Sequence, residues 1–208
     1  FVSVNTDIFI RTMAVSLAFV LFESLAARMG DLTLAANAVL MNFVIFLNYG
    51  IDGMAFAAEA LTGRALGARS KPDMAAAIRV GGIWCFVIAL ITVLGFIVLG
   101  PVLIRGLTNL TEVRAGASTY LPWVTGMPIA AFWALFLDGV FTGTTRTRDM
   151  RNSMLFSAAL FVPAALWLPD VLGNHGLWLA LTLLYVIRSL SMGAIHWNIG
   201  RKGGYVEA

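Results

Sequence analysis

The chain has 208 residues, of which 60% are hydrophobic and only 12% are charged. Soluble domains carry about 25% charged residues, so this composition excludes an ordinary soluble domain and predicts a protein embedded in lipid. The net charge of +3 does not indicate nucleic-acid binding, because the basic residues lie at the ends of apolar segments and form no basic face.

Six apolar segments predict six transmembrane helices, because a helix that crosses the hydrocarbon core needs about 20 apolar residues. The fold class is therefore an all-α membrane protein. In the longest link, the segment from Thr111 to Tyr120 predicts a short interfacial helix with Thr111 as its cap. The six segments cover approximately residues 8–28, 33–62, 76–100, 119–145, 152–169 and 176–198.

The basic residues predict the orientation of these segments through the positive-inside rule. The side of the membrane on which the chain begins, here called the starting side, receives ten of the 14 Lys and Arg residues, and the opposite side receives Arg28, Arg105 and Arg114. We therefore expect an inner (cytoplasmic) membrane protein with both ends of this segment cytoplasmic. The ten are Arg11, Arg64, Arg69, Lys71, Arg79, Arg146, Arg148, Arg151, Arg201 and Lys202, while Arg188 lies inside segment six.

Aromatic residues support the same segment boundaries. Trp123, Trp167, Trp178 and Trp197 all fall near segment ends, where an aromatic belt is expected at the membrane interface.

The first segment carries Glu23 on one face with Thr12 and Ser16. A carboxylate at bilayer depth is expensive, and it is expected to be protonated or paired. Glu23 is therefore a candidate carrier of a proton or cation. The alternative is a neutral carboxyl group that forms a hydrogen bond between helices.

The second segment carries a polar stripe of Asn37, Asn48, Asp52 and Glu59. At about 100° per residue these positions fall within an arc of about 60° on an otherwise apolar helix. The stripe predicts a hydrated face that lines a cavity. The alternative is a polar face buried against other helices.

Segment four places Asp138 on a face with small residues and Thr142. An inward carboxylate there suits a cation site or a substrate contact, and Thr142 is a candidate cavity-lining residue. Arg188 in segment six needs a partner at bilayer depth, and Asp52 or Asp138 can serve as one. Arg188 is thus the candidate counter-charge, in a structural ion pair or in direct contact with substrate.

The sequence contains no enzyme signature. H-E-x-x-H, G-x-S-x-G, Walker A and G-x-G-D patterns are all absent, which disfavours intramembrane proteases and an ATP-driven motor. Cys85 lacks the spacing of a metal ligand, and no metal site is predicted. Four carboxylates in apolar segments instead favour a protein that moves a solute or an ion.

Several sequence blocks occur in a specific order along the chain. They resemble the C-terminal half of the MATE (multidrug and toxic compound extrusion) transporters, and the DinF-like branch most closely. The blocks are Asn5-Thr-Asp-Ile-Phe-Ile-Arg11, Ala36-Asn-Ala-Val-Leu-Met-Asn42, Tyr49-Gly-Ile-Asp-Gly53, Ala58-Glu-Ala60, Gly67-Ala-Arg69, Leu137-Asp-Gly-Val-Phe-Thr-Gly143 and Met150-Arg-Asn-Ser-Met154.

The resemblance implies a twelve-helix transporter with two six-helix lobes. Residues 1–208 would be the C-terminal lobe, helices 7–12, and we expect the chain to be a fragment without its N-terminal lobe. Family members are secondary antiporters that export small cationic or amphipathic compounds as H+ or Na+ flows inward. The implied partners are the N-terminal lobe, such substrates and the lipid bilayer, and no cofactor is implied besides the coupling ion.

The resemblance also implies roles for two residues. In the NorM-type branch of the family, a Glu on helix seven and an Asp on helix ten belong to the cation site. Glu23 and Asp138 fall at these positions, which makes them cation-coupling candidates. The DinF-like branch couples protons mainly through acids of the N-terminal lobe, so H+ and Na+ both stay open.

Two alternatives to a drug antiporter stay open. One is a lipid-linked oligosaccharide flippase of the same superfamily, although such proteins usually carry more cationic residues in the cavity than Arg188 alone. The other is a membrane scaffold lobe that has the fold without transport. Replacement of Asp138 and Glu23 by their amides distinguishes these readings.

Overall fold

A computed structural model describes residues 2–206, which form six α-helices without a β-strand. Each of these helices is long and apolar enough to cross a membrane, so the predicted fold class is confirmed. The helices are α1 (Val2–Arg28), α2 (Asp31–Gly67), α3 (Lys71–Leu107), α4 (Thr111–Gly143), α5 (Thr147–Leu172) and α6 (Asn174–Arg201).

The helices extend beyond the apolar segments at most of their ends, because the polar residues that flank each segment continue the same helix into the membrane interface. Both α2 and α3 have 37 residues, which makes each about 55 Å long against a hydrocarbon core of about 30 Å. The predicted interfacial helix is wrong, since Thr111 begins α4 itself and the cap position is Leu110. The two prolines inside α4, Pro122 and Pro128, are tolerated as they are in other transmembrane helices.

Helix α4 is the centre of the bundle. Two-thirds of its apolar window is buried, and it packs against α2, α3 and α6. The contact with α2 is backbone to backbone, since a Cβ atom on Gly139 would lie 2.0 Å from the Ala55 carbonyl oxygen and one on Gly143 would lie 2.3 Å from that of Glu59. Small residues allow such close approach in lipid, so α2 and α4 form one tightly joined pair.

Helix α1 has a different kind of support. It packs mainly on α5 and touches α2 and α6 less extensively. Near its start the buried Asp7 carboxylate accepts a 3.0 Å hydrogen bond from Thr147 and forms a 2.5 Å ion pair with Arg151 on α5. Polar contacts at the starting side therefore fix α1 to α5, and they set the height of the residues one turn further along α1.

Candidate ion-coupling site

The site is built around the Asp138 carboxylate on α4. Asp138 is 8% exposed, and in the part of the chain that the structure describes its Oδ2 atom forms ion pairs with Arg11 and Arg188. Arg188 is fully inside the protein at 3% exposed, whereas the Arg11 side chain keeps 24% of its surface. One carboxylate oxygen thus joins α1, α4 and α6.

Asp52 on α2 completes this group. It is partly buried and interacts electrostatically with Arg11, Asp138 and Arg188, without a direct ion pair to any of them in residues 2–206. Arg11, Asp52, Asp138 and Arg188 are called the Asp138 cluster below. With all four ionised the cluster is neutral, so it satisfies the requirement that charges at bilayer depth compensate one another.

The cluster is not fully hydrogen-bonded. Asp138 Oδ1, Arg11 Nε and Arg188 Nε are buried and have no partner in the described structure. A buried polar group without a partner costs about 1–3 kcal/mol, and such groups in native proteins call for an explanation. Asp138 Oδ1 has no hydrogen-bond partner in the described structure and lies in the same cluster as partly buried Asp52, so a proton can bind to this oxygen.

The comparisons with known proteins identify the family. The sequence profile of the MatE family matches residues 8–167. The chain belongs to the MatE family. It is therefore part of a family of transporters, and not of enzymes.

Relatives and a solved structure agree with this membership. The MatE chain is 41% identical over 205 residues to DNA damage-inducible protein F of Escherichia coli, which covers 95% of this chain and 44% of that protein. It is 32% identical over 203 residues to Protein DETOXIFICATION 42 of Arabidopsis thaliana, which covers 93% of this chain and 37% of that protein. Its fold matches a MOP superfamily transporter from Pyrococcus furiosus with a TM-score of 0.87 at 17% identity, covering 99% of this chain and 46% of that one. The chain thus spans less than half the length of these proteins.

Other predicted residues of the MatE chain adjoin the cluster. Asn48 lies one turn before Asp52 on α2, beside Tyr185 of α6, and its Oδ1 atom is buried without a partner in the described residues. Thr142 lies one turn after Asp138 and donates a 2.8 Å hydrogen bond to the Asp138 backbone carbonyl. Thr142 therefore contacts the α4 backbone near the carboxylate and does not reach the carboxylate itself.

The prediction that Asn37 lines a cavity is wrong. Asn37 is 2% exposed and exchanges hydrogen bonds of 2.7 and 2.8 Å with Asn174 on α6. Its Oδ1 atom also accepts a 2.9 Å hydrogen bond from Trp178, which is fully buried and so does not belong to an aromatic belt. Asn37, Asn174 and Trp178 are called the amide network below. It joins α2 to the start of α6, which covers this end of the polar stripe.

The two remaining carboxylates lie apart from the cluster. Glu23 is exposed and has no ion pair in residues 3–206. It is 12 residues from Arg11 on the same helix, which is about 18 Å along the axis. The structure therefore does not bring Glu23 and Asp138 together. Glu59 is partly exposed and likewise has no salt bridge in that range.

Sequence reasoning missed Arg11 as a member of the site. Arg11 was counted among the ten basic residues of the starting side, but it lies inside α1 and binds Asp138. Without Arg11 the bias is nine against three. The apolar residues on both sides of Arg11 were the available signal, although Arg11 is only the fourth residue of the predicted segment 8–28. Arg188, which was expected beside Asp52 or Asp138, is paired with Asp138.

Proposed function

We propose that this chain is the C-terminal six-helix lobe, helices 7–12, of a twelve-helix secondary antiporter in the cytoplasmic membrane. Its partner is an N-terminal lobe of the same transporter, and both ends of this segment are cytoplasmic. The transporter exports small cationic or amphipathic compounds in exchange for H+ or Na+. The MatE membership, relatives more than twice as long and the excess of basic residues on the starting side support this assignment.

The observation that carries the proposal is the pairing of Asp138 with both Arg11 and Arg188. Two guanidinium groups at one carboxylate repel a second cation strongly in a low-dielectric site. A proton meets the same repulsion, but it needs only one oxygen atom, and Asp138 Oδ1 is buried without a partner in the described structure. A hard metal cation needs several oxygen ligands instead. The cluster therefore favours H+ over Na+ as the coupling ion.

Protonation of Asp138 would leave Arg11 and Arg188 without their shared partner. Since these residues lie on α1 and α6, the bound proton changes the contacts that hold α1 against α4 and α6. A ligand shifts a conformational equilibrium only through such differential contacts. We infer that this change biases the lobe between its inward- and outward-open states, as alternating access requires.

The proton gradient is large enough for this task. One proton that crosses 100 mV of membrane potential releases about 2.3 kcal/mol, and a tenfold concentration ratio corresponds to about 1.4 kcal/mol. One proton per uncharged substrate therefore supports a gradient of roughly forty-fold. Exchange of one proton for a monovalent cation such as ethidium moves no net charge, so the pH difference alone drives it.

The test is ethidium efflux from energised vesicles that contain this chain joined to a matching N-terminal lobe. With the natural chain, efflux should collapse when a proton ionophore is added. Asp138→Asn should abolish proton-driven efflux, while Asp149→Asn, which makes the same change in an exposed pair with Arg146, should retain it. Efflux that resists the ionophore and requires Na+ would refute proton coupling.

Asp138→Asn leaves two buried arginines with only Asp52, so this variant can fail by misfolding. The double variant Arg11→Gln/Asp138→Asn removes one charge of each sign and keeps the cluster neutral. It should insert and fold, and it should still lack proton-driven efflux. Normal efflux from this folded double variant would show that Asp138 does not couple transport.

A specific observation favours one second candidate, the lipid-linked oligosaccharide flippase. Arg11 adds a second arginine to the site, and two guanidinium groups are better suited than one to an anionic lipid-linked substrate. In the same vesicles a flippase would give no ethidium efflux from the folded natural chain. It would instead move a fluorescent anionic lipid-linked sugar between the leaflets, and Arg11→Gln and Arg188→Gln would abolish this movement.

A further inference from the structure

A groove lies between α3 and α6 on the starting side, and none of the Asp138 cluster lines it. Its volume is about 650 Å³, which is in the range of small-molecule sites. Trp133 on α4 lines it between the two helices, and Tyr205 of the tail after α6 lines it near the membrane surface. Tyr205 is held there by a 2.8 Å hydrogen bond with His196 of α6.

The outer wall of the groove is made by a helix that faces lipid. Helix α3 is the most apolar of the six described helices, and little of its apolar window is buried. Large side chains such as Val80, Ile83 and Trp84 are about half exposed on it. In a membrane such a surface contacts acyl chains wherever no other protein segment covers it.

The mouth of the groove is basic. Lys71 and Arg79 line it and are both exposed, while no carboxylate lines it within residues 3–206. The nearby acids lie elsewhere: Asp73 lines a separate cavity against α2, and Asp149 lines one beside α6. His196 is the remaining titratable group of the α6 wall. Within residues 3–206 the groove therefore combines two basic side chains at one end, without a lining carboxylate, with an apolar interior.

The length of the groove matches one leaflet of a bilayer. Its α3 wall runs from Lys71 to Phe86, which is 15 helical steps or about 22 Å along the axis. One hydrocarbon leaflet is about 15 Å thick, and the polar headgroup region adds about 5–7 Å on each side. A lipid whose headgroup lies at Lys71 and Arg79 thus places its acyl chain beside Phe86 and Trp133.

We propose that this groove binds an anionic phospholipid of the leaflet on the starting side. Lys71 and Arg79 bind the phosphate and the additional negative charge of the headgroup, and the surfaces of Phe86 and Trp133 contact an acyl chain. Basic pockets between transmembrane helices recognise anionic headgroups in this way. The proposal does not depend on the transport cycle or on the coupling ion.

The test uses Trp133 as a reporter in the chain as it is purified from membranes. Vesicles of phosphatidylcholine receive small amounts of phosphatidylglycerol or phosphatidylcholine with brominated acyl chains, which quench tryptophan fluorescence on contact. The difference between the natural chain and Trp133→Phe isolates the reporter from the other five tryptophans. Brominated phosphatidylglycerol should quench Trp133 at a lower fraction than brominated phosphatidylcholine does.

Two charge variants test the headgroup site. Each Lys or Arg near the surface contributes about fivefold to the binding of an anionic lipid, so Lys71→Gln/Arg79→Gln should weaken phosphatidylglycerol binding roughly thirty-fold. Arg201→Gln/Lys202→Gln removes the same two charges on the same side, but outside the groove, and should leave the binding unchanged. If both double variants weaken phosphatidylglycerol binding equally, the effect comes from the overall surface potential and not from the groove, and the proposal is overturned.

A second pair of variants tests the acyl-chain site. Ala75 and Ala76 are both exposed on α3, but Ala75 lines this groove and Ala76 lines the cavity against α2. Ala75→Phe should reduce the quenching of Trp133, and Ala76→Phe should not. If neither brominated lipid quenches Trp133 in the natural chain, the groove is covered by something other than lipid and the proposal fails.

Discussion

Two buried polar groups join helices of this lobe, and they differ in how completely they are satisfied. In the amide network the side-chain nitrogens and oxygens of Asn37, Asn174 and Trp178 all have partners. In the Asp138 cluster one oxygen holds both arginines, and three buried atoms have no partner in the described structure. The amide network consists of neutral groups that all have partners, whereas the Asp138 cluster consists of charged groups and includes buried atoms without a partner.

The difference indicates what each group is for. A satisfied neutral network stabilises a unique arrangement of helices, as expected for the fixed contact of α2 with α6. A charged group with open atoms stabilises the fold less well and is retained where charges or protons move. The lobe therefore has a fixed end at the amide network, and we propose that the Asp138 cluster is its working region.

The largest effect on stability is expected at Asp138. Asp138→Asn leaves Arg11 and Arg188 with only Asp52 to compensate them, and removal of one partner from a buried ion pair costs about 3–5 kcal/mol. Unfolding in detergent, followed by circular dichroism against denaturant, measures this loss. The matched variant Asp149→Asn should change stability by less than about 0.5 kcal/mol. A loss below 1 kcal/mol at Asp138 would contradict a buried, charged cluster.

The amide network should respond with a smaller loss. Asn37→Ala removes three hydrogen bonds and leaves Asn174 and Trp178 without them, which should lower the free energy of unfolding by about 1–2 kcal/mol. The dependence of efflux on the proton gradient should not change, because the network is outside the working region. Asn42→Ala is the control, since Asn42 is exposed and donates only to carbonyls of its own helix. A change in proton dependence in Asn37→Ala would remove the distinction between the two groups.

Variants of Arg11 test whether efflux depends on the positive charge at this position or on the planar donor geometry of the guanidinium group. Arg11→Gln should lower efflux several-fold but stability by only about 1 kcal/mol, because this side chain is partly exposed and Arg188 still holds Asp138. Arg11→Lys keeps the charge and should recover part of the efflux. If both variants transport normally, α1 does not take part in coupling through this residue.

Glu23 gives the smallest expected effect on stability. It is exposed and has no ion pair in residues 3–206, so Glu23→Gln should change the free energy of unfolding by less than about 0.5 kcal/mol. Because Glu23 is a candidate second carrier of the coupling ion, distant from Asp138, Glu23→Gln should still lower efflux several-fold. Its exposed neighbour Ser24 donates a hydrogen bond to the Val20 carbonyl of the same helix. Ser24→Ala is therefore the control. Unchanged efflux in Glu23→Gln would leave Asp138 as the coupling candidate of this lobe.

The sequence predicts the helices well, because length and apolar composition decide which segments cross a bilayer. It also places Asn37, Asn48 and Asp52 on one face of α2, since helical spacing fixes the side to which a residue points. It does not show what covers that face. Asn37 is covered by the first turn of α6, whereas Asp52 faces the cluster, and this difference arises from packing between segments that are 137 residues apart.

The site was predicted in part for the same reason. Asp138 and Arg188 are recognisable as charges inside apolar segments. Arg11 is also such a charge, but it is close to the start of the first segment. The orientation rule therefore counts it among the basic residues at the membrane surface. The ion pair of Arg11 with Asp138 shows that Arg11 reaches the level of Asp138, and the ion pair of Asp7 with Arg151 helps to fix the height of α1 against α5.

The long sequence distance between these partners has a consequence for how the protein is made. Arg11 and Asp138 are 127 residues apart, and a ribosome that adds about 5–20 residues per second needs roughly 6–25 s to bridge them. During this time α1 leaves the translocon with an arginine whose counter-charge has not been synthesised, at a cost of about 2.5–3.5 kcal/mol at the bilayer centre. We therefore expect α1 to gain its full stability in the membrane only after α4 supplies Asp138, with Asp52 of α2 as the earlier counter-charge.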